Sequence, residues 1–459
     1  MKKTKLITLP LILITLLTTG LGCKGLSDEQ KSSIKPVTLN YWTIFNDTSV
    51  LQELANSYKA ERPYVTVKIK KVREEEFDDL FLNALADGVA PDVISVHVGD
   101  IKKYQARLLP APAKVTVSDV FVQGKYAKET VVVPKDIQII TPAGLKSNFV
   151  ATVYNDVVVN NKIYGLPLAL DVMALYYNKD LLDQVGIPLP PTTWEELMEA
   201  VKKTTRFNEK GDIIQSGAAL GTGENIARSF DILSLLMLQG GVKIAQGGSV
   251  IFDSGLVAST ATEHPTMNAM RFYTDFANPT KDVYTWNDSM GDALEAFAAG
   301  KVTFYFGFAY DYPRIKTIAP QINMDVVPIP QLNPSKPTNV ANYYVESVVG
   351  KTKNPDVAWD FVRFMTTPEN IKKYTDATKR PTPLRAQIKD QEEDLLLAPF
   401  VSTILQAENW YHGRDRKSAE KAFDNLIYNY LQPVGVKQTE IQRNIELIKQ
   451  ASRIIQQTM

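Results

Sequence analysis

An aspartate stands inside the apolar stretch LPLALDVMALYYNKD, Leu166 to Asp180, which otherwise reads as a buried strand. A carboxylate placed there has to be matched, so Asp171 is a candidate for hydrogen bonding to a ligand, for capping a nearby helix, or for an ion pair with a buried arginine. Other carboxylates stand in loop contexts: Asp47 in TIFNDTS, Asp100 in HVGD, Glu224 in GTGEN and Asp311 in FGFAYDY. Two of Asp47, Asp171, Glu224 and Asp311, opposed across a cleft, could act as the acid and base of a glycosidase, but no local pattern marks such a pair. The three histidines, His97, His264 and His412, are too dispersed to suggest a metal cluster. HExxH, CxxC, G-x-S-x-G and Walker A patterns are lacking. No catalytic residue, metal or cofactor is therefore expected.

Aromatic residues gather at strand ends and loops: Trp42, Tyr176, Trp286, Phe308, Tyr310, Tyr343, Trp410 and Tyr411. Polar groups sit beside them: Asn46, Asp47, Asp100, Asp171, Asn225 and Asn342. This pairing suits a sugar, whose C–H face packs on a ring while its hydroxyls pair with carboxylates and amides. A polyamine would use the same residue types through cation–π contacts.

These residues need strand ends to hold them. VTLNYW, VTVKIKKV and PDVISV read as strands separated by two amphipathic helical patterns. Ser49 and Gln52 form a possible capping box before the first helix, and Gly88 is placed to stop the second. This β-α-β-α-β run predicts a sheet with parallel strands, whose ligands gather at the carboxyl ends: the loops Trp42 to Asp47 and His97 to Asp100. Residues 110–160 read as an extended excursion. Beyond Asp180, Thr192 or Thr193 caps a helix, Gly300 ends another, and a strand opens at Gly307 into FGFAYDY.

The chain has 459 residues, more than one ordinary core, which points to two domains or one bilobal unit. Its 44% hydrophobic and 22% charged content argues against disorder, and a formal charge of zero without a basic stripe argues against nucleic acid. MKKTK and the apolar LITLPLILITLLTTGLG precede Cys23, the single cysteine. The run has the length of a signal-peptide core rather than a membrane span. With Gly22 before the cysteine, it resembles a bacterial lipobox, although Gly20 stands at −3 where leucine is common. A signal peptide over 1–22, a lipid on Cys23, a flexible tether over 23–36 and an extracytoplasmic, membrane-anchored location are expected.

Several segments, in order along nearly the whole chain after Cys23, resemble the carbohydrate-binding group of ABC-importer solute-binding proteins, related to maltose-binding protein. They include VTLNYWTIFNDTSVLQELANSYKAERPYVTVKIKKV, YGLPLALDVMALYYNKDLLDQVGIPLPPTTWEEL, EAFAAGKVTFYFGFAYDY, DVAWDFVRFMTTPEN and ENWYHGRDRKSAEKAF. The resemblance implies an α/β fold of two lobes, each a central, mostly parallel sheet flanked by helices, joined by about three crossings. Residues 37–168 with 344–382 would form one lobe, and 169–343 with 383–459 the other. It also implies capture of a ligand in the cleft, delivery to membrane permease subunits, and a monomer without chemistry of its own. Asp171 would lie at the first crossing and take sugar hydroxyls. Asn46, Asp47, His97 and Asp100 would come from first-lobe loops. Phe308, Tyr310, Trp410, Tyr411, Glu224 and Asn225 would come from the second, with Gly307-Phe308-Ala309-Tyr310 in place of the usual glycine-small-tryptophan and Val96 where some sugar binders carry an aromatic. Trp42, Trp286 and Tyr343 complete the candidates. The alternatives are a binding protein for a polyamine, peptide or phosphorylated compound, a secreted glycan-processing enzyme, or a sensor lipoprotein.

Overall fold

The computed structural model describes residues 26–123, 129–435 and 438–459. Cys23 and the apolar leader lie outside the described residues. Within the expected tether, Asp28–Ser33 forms a short helix, because Ser27 and Gln30 close a capping box. That helix rests on the hairpin of strands Lys114–Gln123 and Glu129–Gln138, where Ser118 Oγ donates to the Ser33 carbonyl at 3.2 Å.

Two sheets carry the molecule. In the first, Val65–Lys71, Val37–Thr43 and Val93–His97 run parallel, and Tyr344–Val349 lies antiparallel to the last of them. In the second, Ile213–Ala218 runs parallel to Val302–Gly307, followed by Ala174–Asn178 and Met324–Pro328, each antiparallel to its neighbour. The sheets are thus more mixed than the mostly parallel ones expected. The reason is topological. Strands of β-α units end at the face between the sheets, whereas Ala174–Asn178 and Tyr344–Val349 start there, straight from a crossing, and must run the other way.

The chain passes between the sheets three times. Leu166–Pro167 pairs in the first sheet and Ala174–Asn178 in the second, so 168–173 crosses. Asn339–Asn342 leads back into Tyr344–Val349. After the helix Pro368–Thr378 the chain turns at Lys379, in the left-handed region at φ 51°, stays against the first lobe where Leu384 bridges Phe149, and reaches the second sheet at Ala398–Val401, which packs on Met324–Pro328. A small third sheet ties the crossings: Asp171 pairs with Asn342 in register, and Asn339 with Ala407.

Local signals act where expected in several places. Thr193 and Glu196 form a capping box for the helix Trp194–Thr204. The first long helix, Thr48–Glu61, is capped not by Ser49 but by Asp47, whose Oδ1 accepts from the backbone N–H groups of Ser49 and Val50. A carboxylate matches the partial positive charge of a helix start better than a hydroxyl does. Residues 110–160 hold a β-hairpin and the helices Pro142–Asn148 and Ala151–Val157.

The loop after Ile213–Ala218 is held by a backbone constraint. Gly221 has φ 108°, and a Cβ there would lie 2.6 Å from the Ala277 nitrogen. Gly221→Ala is expected to cost about 2–4 kcal/mol, from left-handed strain and overpacking together. Urea denaturation measures it; a loss below about 0.5 kcal/mol would show that the loop relaxes freely.

Candidate functional site

A cavity of about 530 Å³ opens between the two sheets, at the strand ends the topology points to. The first sheet and its helices contribute Phe45, Asp47, Lys71, Glu74, Tyr344 and Tyr374, and the third crossing contributes Arg380. Across from them stand Arg228, Asp292, Tyr305, Tyr310, Asp311 and Arg314.

Three rings form its apolar wall. Phe45 and Tyr344 stack at 5.0 Å with planes 5° apart, and Tyr310 meets the edge of Phe45 at 4.8 Å. Phe45 and Tyr344 belong to the first lobe and Tyr310 to the second, so this contact joins them. Behind Tyr310, Phe308 stacks at 5.5 Å, and the Arg228 guanidinium lies over both rings at 5.5 and 5.7 Å.

Beneath the wall lies a buried polar network. Arg380 holds Asp171 Oδ2 with Nε, at 3.0 Å, and with Nη2. Its Nη1 donates to Asn46 Oδ1 at 3.4 Å and Tyr374 Oη at 3.3 Å, and its guanidinium lies 4.9 Å over Phe45. Asn46 Nδ2 donates to Glu346 Oε1 at 2.6 Å, and Tyr41 and Ser95 also donate to that carboxylate. Burial without a direct cation pushes Glu346 up to about 7, and burial pushes Asp311 up to about 6. Two atoms stay unmatched: Asp171 Oδ1 and Tyr310 Oη are buried without a hydrogen-bond partner.

The structure brings only some sequence candidates to the cavity. Asp47 and Tyr310 line it. Asp171, Asn46 and Phe308 form the layer behind, fully or almost fully buried. Asp171 makes the buried arginine pair that was one of the alternative readings of its position.

The remaining candidates have structural partners. His97 is buried against the edge of Tyr344 and kept neutral by burial and by Arg416 and Arg228; its Nδ1 accepts from Gly99. Asp100 is ion-paired to Arg416. Glu224 is exposed and paired with Lys421. Asn225 donates to the Asn287 and Met290 carbonyls and accepts from Trp286 Nε1, so the half-buried amide anchors a loop and Trp286 fills the core of the second lobe. Tyr343 points away from the cavity to Asp156, Trp410 donates to Asp231 Oδ1 at 3.0 Å, and Tyr411 donates to the Thr458 carbonyl. Trp42 lies under Lys70 outside the cavity. Trp286, Tyr343, Trp410 and Tyr411 each bury the ring and match its polar tip, the ordinary use of such side chains in a core.

Sequence reasoning missed Phe45, Arg228, Tyr344 and Arg380. Phe45 and Tyr344 each stand next to a candidate, so strand-end position was the available signal; the one-residue alternation of faces was not followed through the crossing. Nothing local marks Arg380, whose partner Asp171 is 209 residues away.

Two lobes, three crossings and a lined cleft define a two-lobed solute-binding protein. The chain belongs to the bacterial extracellular solute-binding protein family, whose profile matches residues 54–395. It is 23% identical over 429 residues to the multiple sugar-binding protein of Streptococcus mutans, covering 90% of each chain. It is 28% identical to the maltodextrin-binding protein MdxE of Bacillus subtilis, covering 68% of this chain and 72% of that one. Among solved structures, the maltose-binding protein MalE of Listeria monocytogenes superposes with a TM-score of 0.68 at 18% identity, covering 92% of this chain and 98% of that one. A solute-binding protein of Thermotoga lettingae superposes with a TM-score of 0.66 at 18% identity, covering 92% and 99%.

Arg380→Ala leaves a buried carboxylate unpaired and is expected to destabilise the fold by about 3–5 kcal/mol, while an Asp171→Leu, Arg380→Met double replacement recovers most of the loss. Urea denaturation of the two variants checks this. Glu346 gives a pH signature. Its folded pKa, about 7, lies above the ordinary value of 4.5, so the folded state binds the extra proton between them and loses stability as pH rises through that window. Glu346→Gln should flatten the fall in melting temperature from about pH 5 to pH 8; an unchanged slope would assign the dependence elsewhere.

Proposed function

We propose that this chain captures a sugar or oligosaccharide between its lobes and delivers it to the membrane permease of an ABC importer. The carrying observation is the cleft itself. Phe45, Tyr310 and Tyr344 form an apolar wall there, with the unmatched Tyr310 Oη at the wall and the unmatched Asp171 Oδ1 in the layer behind it. Rings pack on the C–H groups of a pyranose, and an unmatched hydroxyl at the wall pairs with its hydroxyls. The sugar-binding relatives support this reading, as do neighbouring structures described with tagatose, maltotetraose or mannobiose bound. Asp171 acts from the hinge, shaping the cleft floor together with Arg380, and Asp47 and Tyr310 face the ligand.

The hinge divides the chain into 37–168 with 344–382 and 169–343 with 383–459, a reading supported by the three crossings. Closure by hinge motion brings Tyr310 to Phe45 and sets Arg416, beside the second lobe's Trp410 loop, against Glu74 at 2.6 Å and Asp100 at 3.1 Å. The protein works as a monomer outside the cytoplasmic membrane, held by lipid on Cys23, and binds without turnover.

A thermal-shift panel of neutral mono- and oligosaccharides, polyamines and short peptides tests the ligand class. A ligand at 100 times its Kd adds about 2.7 kcal/mol of stability. A saccharide shift lost in Tyr310→Ala is expected; a shift with polyamines or peptides alone would overturn the sugar. Arg416→Ala, which removes contacts special to the closed form, should weaken apparent affinity by roughly 10-fold, read by calorimetry.

A further inference from the structure

The charged groups lining the cleft are unequally committed. Every carboxylate there already holds a protein donor. Asp47 accepts from Ser49 and Val50, and Glu74 pairs with Arg416. Asp292 accepts from the Glu295 N–H at 3.0 Å, and Asp311 from the Phe308 N–H at 3.0 Å. The cations are placed differently. Arg380 is spent on Asp171, but the side chains of Lys71, Arg228 and Arg314 donate no hydrogen bond among the described residues, and Arg228 has only a loose ion pair. The acid nearest to Arg228 is Asp231, at 3.7 Å, beyond hydrogen-bond reach, and that carboxylate's Oδ2 is itself without a partner.

Arg228 is the informative residue. Its side chain is only 26% exposed and lies over Phe308 and Tyr310 at the cavity wall. A guanidinium held there has lost much of its hydration and keeps all its N–H donors. A neutral sugar supplies hydroxyl acceptors but no charge. A carboxylate supplies a planar, bidentate match to the guanidinium fork. Lys71 from one lobe and Arg314 from the other line the same cavity and, with Arg228 and Arg380, balance its four carboxylates, so the preference for a carboxylate rests on the local fork of Arg228 rather than on a net field.

We propose that the ligand of this cleft is an acidic saccharide, a sugar chain bearing a carboxylate as a uronic acid residue does, with Arg228 as the residue that takes that carboxylate. The inference rests on the sugar-capture reading and adds the ligand's charge.

Calorimetric titration of the wild-type chain with uronic-acid oligosaccharides, their methyl esters, neutral oligosaccharides of equal length and sulfated disaccharides tests it. The expected result is a uronide bound about 10- to 100-fold more tightly than its methyl ester, with affinity falling between roughly 50 and 500 mM salt. Arg228→Gln should abolish the preference for acid over ester, and Arg228→Lys should restore part of it. The ester comparison needs no variant, so a misfolded Arg228→Gln leaves the test intact. A neutral oligosaccharide bound as tightly as any uronide, unaffected by salt, would overturn the acidic ligand and leave sugar capture standing. Preference for a sulfated disaccharide would overturn the carboxylate. Binding of polyamine or peptide with every saccharide silent would overturn sugar capture itself.

Discussion

The ion pair between Asp171 and Arg380 joins two of the three strands of chain that connect the lobes, and the cleft is organised around it. Asp171 lies on the first crossing and is in register with Asn342 at the second; Arg380 lies on the third. Both side chains are buried, so neither charge is tolerable without the other. The pair therefore fixes how the crossings lie against one another. The same guanidinium reaches Asn46, Tyr374 and the face of Phe45, so one residue sets both the hinge and the first lobe's contribution to the cavity.

That arrangement explains why so much polar chemistry sits below the cleft rather than in it. Glu346, Tyr41, Ser95 and Asn46 form a satisfied cluster inside the first lobe, joined through Asn46 to Arg380. A satisfied buried network is rigid, since loss of any member leaves another unmatched. It holds the Phe45 loop at the end of Val37–Thr43 in one place. The second lobe does the same by other means: Asp311 accepts the Phe308 N–H and Tyr176 donates to the Phe308 carbonyl, so the FGFAYDY turn presents Tyr310 from a fixed base.

Contacts between the lobes divide into apolar ones at the cleft and charged ones beside it. Phe45 meets Tyr310 ring to ring, while Arg416 gathers Glu74 and Asp100 of the first lobe on one guanidinium. Ring contacts can be exchanged for contacts with a ligand of similar shape. A charged clasp is more geometrically demanding, because its bidentate and directional bonds form at one separation of the lobes. The two together make a contact between the lobes that is directional on its charged side and apolar at the cleft.

The sequence by itself determined the alternation of strands and helices, the capping box at Thr193, the placement of a cleft at strand ends, and the oddity of Asp171 in an apolar run. These are local or periodic signals, carried by residues within a few positions of one another. It also marked the loops that reach the cavity, at Asp47 and Tyr310, because strand ends can be read from pattern. Only the tertiary structure decided which aromatics face that cavity and which fill cores. Trp286, Trp410 and Tyr343 look no different in sequence from Phe45 and Tyr344, yet each finds a distant partner for its polar tip: Asn225, Asp231 and Asp156. The partner of Asp171 was equally hidden. Arg380 lies 209 residues away, and their pairing exists only because the chain crosses the hinge more than once and closes that distance to a hydrogen bond.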